Sequence, residues 1–418
     1  MNINDLLKIA VERKASDLHL KVGGHPVIRV DGDLIPLGEL KRLMQEDTIA
    51  MAFSMMNARQ KQRFKEELEL DIAYSVPGLG RFRCNVFQQR GAVGLVLRVI
   101  PARIQSVREL MLPPVLEKIC EERRGLILCT GTTGSGKSTS LAAMIDYINA
   151  SRTEHIITVE DPIEFLHRDK KSIVNQREID VDTHSFAGAL RAALRQDPDV
   201  ILVGEMRDEE TVQTALSAAE TGHLVLSTLH TVDATEAINR IIDFFPPHHQ
   251  QQARAMIAGT MKGVISQRLV KTADGGGRVA TCEILTMTGR VHDMILDARQ
   301  TGNIHQVISE GEYYGMQTFD QHLLKHVQAG RITRDEETVQ TALSAAETGH
   351  LVLSTLHTVD ASETVNRIID FFPPHQQQQA RAMIAGTLKG IVSQRLVRTA
   401  DGEGRIATCE ILTMTGRV

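Results

Sequence analysis

Tryptophan is absent from these 418 residues and only four tyrosines occur. The chain therefore has little aromatic surface on which nucleic-acid bases stack. A net charge of −5 argues against a basic footprint over the whole surface and leaves room only for a local patch. Five cysteines occur, Cys84, Cys120, Cys129, Cys282 and Cys409, and none forms a C-x-x-C pair. That spacing indicates neither a zinc ribbon nor a disulfide framework, and an odd, scattered set fits a reducing compartment. No apolar run approaches the ~18 residues of a spanning helix, and the opening MNINDLLKIAVERKASD lacks the apolar stretch of a signal peptide. The expectation is a cytoplasmic protein with no direct membrane span, whose membrane contact runs through a partner.

Apolar residues make up 42% of the chain and charged residues 24%, as in ordinary globular proteins. The length exceeds what one core normally holds, so two or more domains are expected. Ile3, Leu6, Leu7 and Ala10 fall at helical spacing. Leu18, Leu20 and Val22 alternate with polar residues, and the run 27–30 ends at Asp31-Gly32, a hairpin-turn pair. Runs at 71–76, 81–87 and 95–100 read as further strands. Residues 1–101 thus predict a small α/β domain with an antiparallel sheet, followed by a linker. From Gly125 the pattern changes to apolar runs at 126–130, 156–159, 200–203 and 223–229, with helical segments between them. Strands alternating with helices predict βαβ units and a parallel-rich sheet over 112–291. Residues 292–333 read as a helical tail.

A long repeat closes the chain. Residues 207–291 and 334–418 align without gaps at an offset of 334 − 207 = 127, and 85 − 10 = 75 positions are identical. The ten differences are mostly mild, such as Thr235 against Ser362, Met261 against Leu388 and Val279 against Ile406. The period is too long and the copy number too low for a solenoid. Two origins compete: recombination through the shared string RDEETVQ, or a genuine extension that swaps in for the first copy's sheet segment.

The stretch Gly131-Thr132-Thr133-Gly134-Ser135-Gly136-Lys137-Ser138, followed by Thr139, matches G-x-x-x-x-G-K-[ST] between an apolar strand and a helix. Its glycines let backbone N–H groups turn around phosphates, and the helix adds its positive N-terminus. Lys137 is positioned for the β- and γ-phosphates and Ser138 for Mg²⁺. The next strand runs into Glu160-Asp161-Pro162-Ile163-Glu164. Acids at a strand's C-terminal end face the ligand crevice of an α/β sheet, where they polarise water or hold Mg²⁺ through water. The strand Asp199-Val-Ile-Leu-Val-Gly204 ends at Glu205, a Walker-B-like arrangement with Glu in place of Asp. A further strand is bracketed by His223 and His230, whose neutral imidazoles can bond a phosphate oxygen or a carboxylate. Arg81 and Arg83 share one face of a strand, and Arg98 lies on the next. They form either a solvated face or a source of positive charge for a neighbouring subunit's ATP.

Together, GTTGSGKS, TVEDPIEF, LRQDPDVILVGEMRDEET and AAETGHLVLSTLHT resemble the Walker A, Asp box, Walker B and His box of the secretion and pilus ATPases. ASDLHL, IRVDG and RFRCNVF resemble the PAS-like N-terminal domain of the PilT-type retraction ATPases. The resemblance covers about residues 1–333. It implies a PAS-like domain (1–101), a RecA-like P-loop ATPase domain (112–291), a helical tail (292–333) and a partial duplicate (334–418). It also implies a homohexamer that hydrolyses Mg-ATP beneath an inner-membrane pilus platform protein, peripheral at the inner face of the cytoplasmic membrane. By position, residues 131–139 bind the nucleotide, with Ser138 and Glu205 at the Mg²⁺. Glu164 is the catalytic base, His223 and His230 sense the nucleotide, and Arg81 and Arg98 reach across the subunit interface. Where many members carry an AIRNLI-like motif, this chain reads Thr288-Gly289-Arg290-Val291-His292-Asp293-Met294-Ile295. The duplicate repeats the His-box strand, with His350 and His357, but has no P-loop, Asp box or Walker B acid.

Overall fold

A computed structural model of the chain describes residues 2–30, 32–100, 103–274, 276–332, 343, 346, 360–372, 376–398 and 405–414. His350 and His357 lie outside the described residues. The chain divides into two compact units, one of residues 1–109, 116–126 and 138–228, the other of 110–115, 127–137 and 229–418.

The first unit opens with α1 (Ile3–Glu12), capped by Asn2, which buries Ile3, Leu6, Leu7 and Ala10 as the spacing predicts. Burying each of the larger three stabilises the fold by roughly 1.5–3 kcal/mol. Strands β1 (Asp17–Leu20), β2 (Val27–Val30) and β3 (Asp33–Pro36) follow. Helices α2 (Gln45–Met55) and α3 (Ala58–Glu67) come next, then β4 (Glu69–Val76), β5 (Gly80–Gln89) and β6 (Ala92–Ile100). The six strands form an antiparallel sheet in the order β3-β2-β1-β6-β5-β4. Leu18, Ile28, Phe82, Cys84, Val86, Leu95 and Leu97 fill its inner face, and α1 packs on them. The alternation along β5 buries Phe82, Cys84 and Val86 and leaves Arg81 and Arg83 on the other side.

A short helix α4 (Val115–Ile119) precedes β7 (Gly125–Thr130), all six residues of which are buried. Then come α5 (Lys137–Ser151), β8 (His155–Glu160), β9 (Ile173–Glu178), α6 (Phe186–Ala193), β10 (Val200–Val203), α7 (Glu209–Glu220) and β11 (Leu224–Leu229). Strand β10 pairs parallel with β8 and β11, and β8 pairs parallel with β9. Central strands buried on both faces account for the unbroken apolar runs in the sequence. Strand β9 breaks that pattern: its polar sequence IVNQRE is half-exposed at the sheet edge, which is why periodicity did not reveal it.

In the second unit, α8 (Ala234–Asp243) and α9 (Gln250–Thr260) lead into an antiparallel hairpin, β12 (Met261–Lys271) and β13 (Arg278–Thr286). Seven strands hydrogen-bond in the order β13-β12-β7-β11-β10-β8-β9, giving a mixed, parallel-rich sheet. The tail is helical, with α10 (Gly289–Leu296), α11 (Ile304–Glu310) and α12 (Phe319–Gln328). The stretch that departs from the family motif folds as α10, capped by the Thr288 hydroxyl.

The described part of the duplicate forms α13 (Ala361–Asp370), α14 (Gln377–Thr387), β14 (Gly390–Arg398) and β15 (Arg405–Thr413). These are the elements found 127 residues earlier, down to the N-cap: Asp233 accepts from Glu236 N–H and Asp360 from Glu363 N–H. Near-identical sequence thus yields the same local structure twice.

Candidate nucleotide-binding site

Strand β7 delivers the chain into the glycine-rich loop. Gly131, Gly134 and Gly136 hold φ of +142°, +80° and +91°, in a region that side chains disfavour. At Gly131 and Gly136 space forbids a side chain as well. A Cβ on Gly131 would lie 2.4 Å from the Gln267 carbonyl oxygen, and one on Gly136 would lie 2.7 Å from Gln267 Nε2. Gln267, on β12 and fully buried, donates from Nε2 to the Ser135 carbonyl at 2.9 Å. Next to it, Thr130 Oγ1 donates to Ser266 Oγ at 2.9 Å. The loop is therefore braced by the strand beside the one it leaves.

Lys137 is buried, and its ammonium donates to the carbonyls of Gly131 at 2.7 Å and Thr132 at 3.0 Å. Ser135 Oγ is buried with no hydrogen-bond partner among the described residues. Thr132, Thr133 and Gly134 form the exposed rim, and Ser138 and Thr139 are half-buried in the first turn of α5. A buried cation, an unpartnered hydroxyl, left-handed glycines and a helix N-terminus make a donor-rich lining. That lining fits the phosphate chain of a nucleotide.

In the first unit, the loops after β8 and β10 gather the acids. Gly204 makes this approach possible: a Cβ there would meet the Val159 carbonyl at 3.1 Å and Glu160 Cα at 3.3 Å. Its N–H donates to that Val159 carbonyl at 2.8 Å. Ser227 and Thr228 of β11 tie down the same turn, donating to the carbonyls of Val203 at 2.8 Å and Gly204 at 2.6 Å. Glu205 accepts from Arg207 Nε at 2.8 Å, and Arg207 also reaches Asp161 at 3.8 Å. One guanidinium thus links the Asp-box and Walker-B-like acids. Burial pushes the Glu160 carboxyl up, against hydrogen bonds from Thr158 and Gln176 that favour its ionised form. Thr158 Oγ1 lies at 2.6 Å and Gln176 Nε2 at 3.1 Å from Glu160 Oε1. Glu164 is exposed, and its backbone N–H bonds the Glu160 carboxylate.

The two arginines singled out in the sequence are engaged within the chain. Arg81 ion-pairs with Glu178 of β9, whose Oε2 also accepts the Ile163 N–H at 3.0 Å. The antiparallel sheet is thereby wired to the loop that carries Glu164. Arg98, which faces Arg83 across β5 and β6, bonds Asp17 Oδ1 at 2.9 Å. Burial would raise the Asp17 carboxyl, but hydrogen bonds from Ser16 and Arg98 outweigh it and hold the group below its ordinary value.

The histidine pair divides. His223 stands before the first residue of β11, where its Nδ1 lies 3.0 Å from the Ala218 carbonyl at the end of α7. Glu205 follows the last residue of β10, and the parallel register matches Val200 with Leu224 and Val203 with Ser227. The structure thus sets His223 and Glu205 at opposite ends of their strands and does not bring them together. His230 is exposed just past the other end of β11.

Sequence reasoning missed Gln267, Arg207 and Glu178. Arg207 was visible two residues after Glu205. Gln267 carried no local signal, since it meets Ser135 across 132 positions.

The family model described as Type II/IV secretion system protein matches residues 1–331 and again 326–413. The chain is 46% identical over 335 residues to the type IV pilus retraction ATPase PilT of Pseudomonas aeruginosa, covering 80% of this chain and 96% of that protein. It is 48% identical over 307 residues to a twitching motility protein of Neisseria gonorrhoeae, covering 73% of this chain and 82% of that one. A crystal structure of the pilus retraction motor PilT with bound ADP superposes with a TM-score of 0.75 at 48% identity, over 82% of this chain and 97% of that one.

Proposed function

Since the chain belongs to the Type II/IV secretion system protein family, and within it to the PilT-type retraction ATPases, we propose that it is the ATP-hydrolysing motor of type IV pilus retraction, which powers twitching motility. The observation that carries the reading is the loop 131–137, with Lys137 and an unpartnered Ser135 hydroxyl inside an arch of left-handed glycines.

Mg-ATP supplies the hydrolysable anhydride. Lys137 and the N–H groups of residues 131–139 would hold its phosphates, with Ser138 and Glu205 at Mg²⁺. Glu164 acts as the base that takes the proton of the attacking water. Arg207 keeps the cluster of acids from repelling itself and holds Glu205 in one orientation. His230, at the C-terminal end of its strand, reads the γ-phosphate in this proposal. Arg81, through Glu178 and Ile163, positions the loop of Glu164. Arg98, more exposed, is the residue for contact with a neighbouring subunit. The working form is a homohexamer on the cytoplasmic side of the inner membrane, peripheral beneath a pilus platform protein. Among the described residues no helix is long and apolar enough to cross a membrane. The functional division is a PAS-like 1–101, a motor 112–291, a tail 292–333 and the duplicate 334–418.

Complementation separates retraction from the sister role of assembly. The gene restores twitching to a retraction-deficient strain and fails to restore pili to an assembly-deficient one. The reverse pattern would overturn the assignment.

A further inference from the structure

Strands β14 and β15 repeat β12 and β13 pair for pair: Gly263 opposite Thr286 becomes Gly390 opposite Thr413, and Gln267 opposite Cys282 becomes Gln394 opposite Cys409. Yet among the described residues they form a sheet of two strands. In the first copy the outer edge of β13 is closed by the tail. Ile284 and Gln317 exchange backbone bonds at 2.8 and 3.2 Å. Gln317 Nε2 donates to the Cys282 carbonyl at 3.1 Å, the Cys282 N–H donates to His322 Nδ1 at 2.9 Å, and His326 Nε2 lies 3.0 Å from the Ala280 carbonyl. Ala280, Cys282 and Ile284 therefore turn their backbone groups outward.

The shared register turns those of Ala407, Cys409 and Ile411 outward too, and among the described residues nothing takes them. The side chains are open as well. Ile411 is 65% exposed where its counterpart Ile284 is 0%, and Val392, across the hairpin, is 64% exposed where Ile265 is 0%. Cys409 is exposed, whereas Cys84, Cys120, Cys129 and Cys282 are buried.

We propose that β15 is a self-association edge, pairing antiparallel with β15 of a second copy about Cys409 to give the order β14-β15-β15-β14. An open strand with unpaired ladder groups and apolar side chains is a template for another strand. A strand pairing with its own copy about a twofold axis closes without leaving a repeat to propagate. With Cys409 opposite its own copy, Ala407 falls opposite Ile411, Thr408 opposite Glu410 and Arg405 opposite Thr413. No like charges are opposed. Residues 317–326, which close β13, are already committed there.

The test uses the full chain and dibromobimane, a short reagent that joins two thiols. As protein concentration rises, the reagent yields a covalent dimer, which Cys409→Ser abolishes. Two chains in that background that each carry one exposed thiol beside the four buried cysteines, Ala407→Cys and Ile411→Cys, couple to each other when mixed at least 5-fold better than either couples to itself. Residue 407 lies roughly 14 Å from its own copy in this register, four residues along a strand. Equal self-coupling would mean mere proximity of two tails, and the absence of a covalent dimer at every concentration would mean no pairing. Either result overturns the proposal.

Discussion

The side-chain amide of Gln267 donates to the carbonyl of Ser135 at 2.9 Å, so a residue near the end of the motor sequence braces the phosphate-binding loop near its start. Because the Gln267 side chain also fills the space beside Gly136, its removal loosens the arch without removing Lys137. Gln267→Ala should raise the KM for ATP about 10-fold, the loss of one buried hydrogen bond, and lower kcat less. Steady-state ATPase kinetics check this. An unchanged KM would mean that the loop holds its shape unaided.

Gly131→Ala should give a folded protein that no longer takes up nucleotide, because the new Cβ collides with a backbone carbonyl that cannot move aside. Circular dichroism with fluorescent-nucleotide titration separates the two effects. Normal affinity would show that the arch tolerates a side chain.

Arg81→Ala leaves Glu178, only 5% exposed, without its cation. The expected cost is about 2–3 kcal/mol, discounted from the value for a fully buried pair because Arg81 is partly solvated. Arg81→Ala combined with Glu178→Gln should recover most of the lost stability in denaturant titrations. If Arg81 acts only on a neighbouring subunit, stability stays unchanged and only the assembled enzyme loses activity.

Acid should destabilise the fold above the range in which carboxylates titrate. Burial pushes His322 down to about 3 and His167 to about 4. His322 must stay unprotonated at Nδ1 to accept the Cys282 N–H. A histidine whose folded pKa lies below its unfolded value of about 6.5 costs no stability above pH 6.5. It loses stability progressively as pH falls from there toward the folded pKa, since only the unfolded chain binds the proton. Glu283 works the other way: burial raises it to about 7, so it loses stability as pH rises from its unfolded value of 4.5 toward 7. Glu160 is raised by burial as Glu283 is, whereas His19 and His326 are lowered as His167 and His322 are, so with four histidines against two glutamates Tm should fall between pH 7 and 5. His322→Gln, which keeps an acceptor, should flatten that slope. A Tm that rises across the same interval in the parent protein would contradict the assignment.

The elements that could be read from the sequence are those whose burial is one-sided or complete. Helix α1 shows its apolar stripe at Ile3, Leu6, Leu7 and Ala10, β5 alternates, and β7, β10 and β11 are continuous apolar runs. The P-loop could be read because its glycines and lysine are contiguous. What brings Arg81 to Glu178, or Gln267 to Ser135, is strand order, and strand order leaves no mark on local spacing. The same limit applies to His223 and His230. Symmetric in sequence about β11, they lie at opposite ends of a parallel strand, and only the direction of the sheet separates them.

The most direct test of the account measures ATP binding and Mg-dependent phosphate release on the parent chain, Lys137→Ala and Glu164→Ala. The account predicts that Lys137→Ala loses both, while Glu164→Ala binds ATP normally and releases phosphate at least 100-fold more slowly, as loss of a general base implies. Normal phosphate release from Glu164→Ala, or undiminished ATP binding by Lys137→Ala, would contradict it.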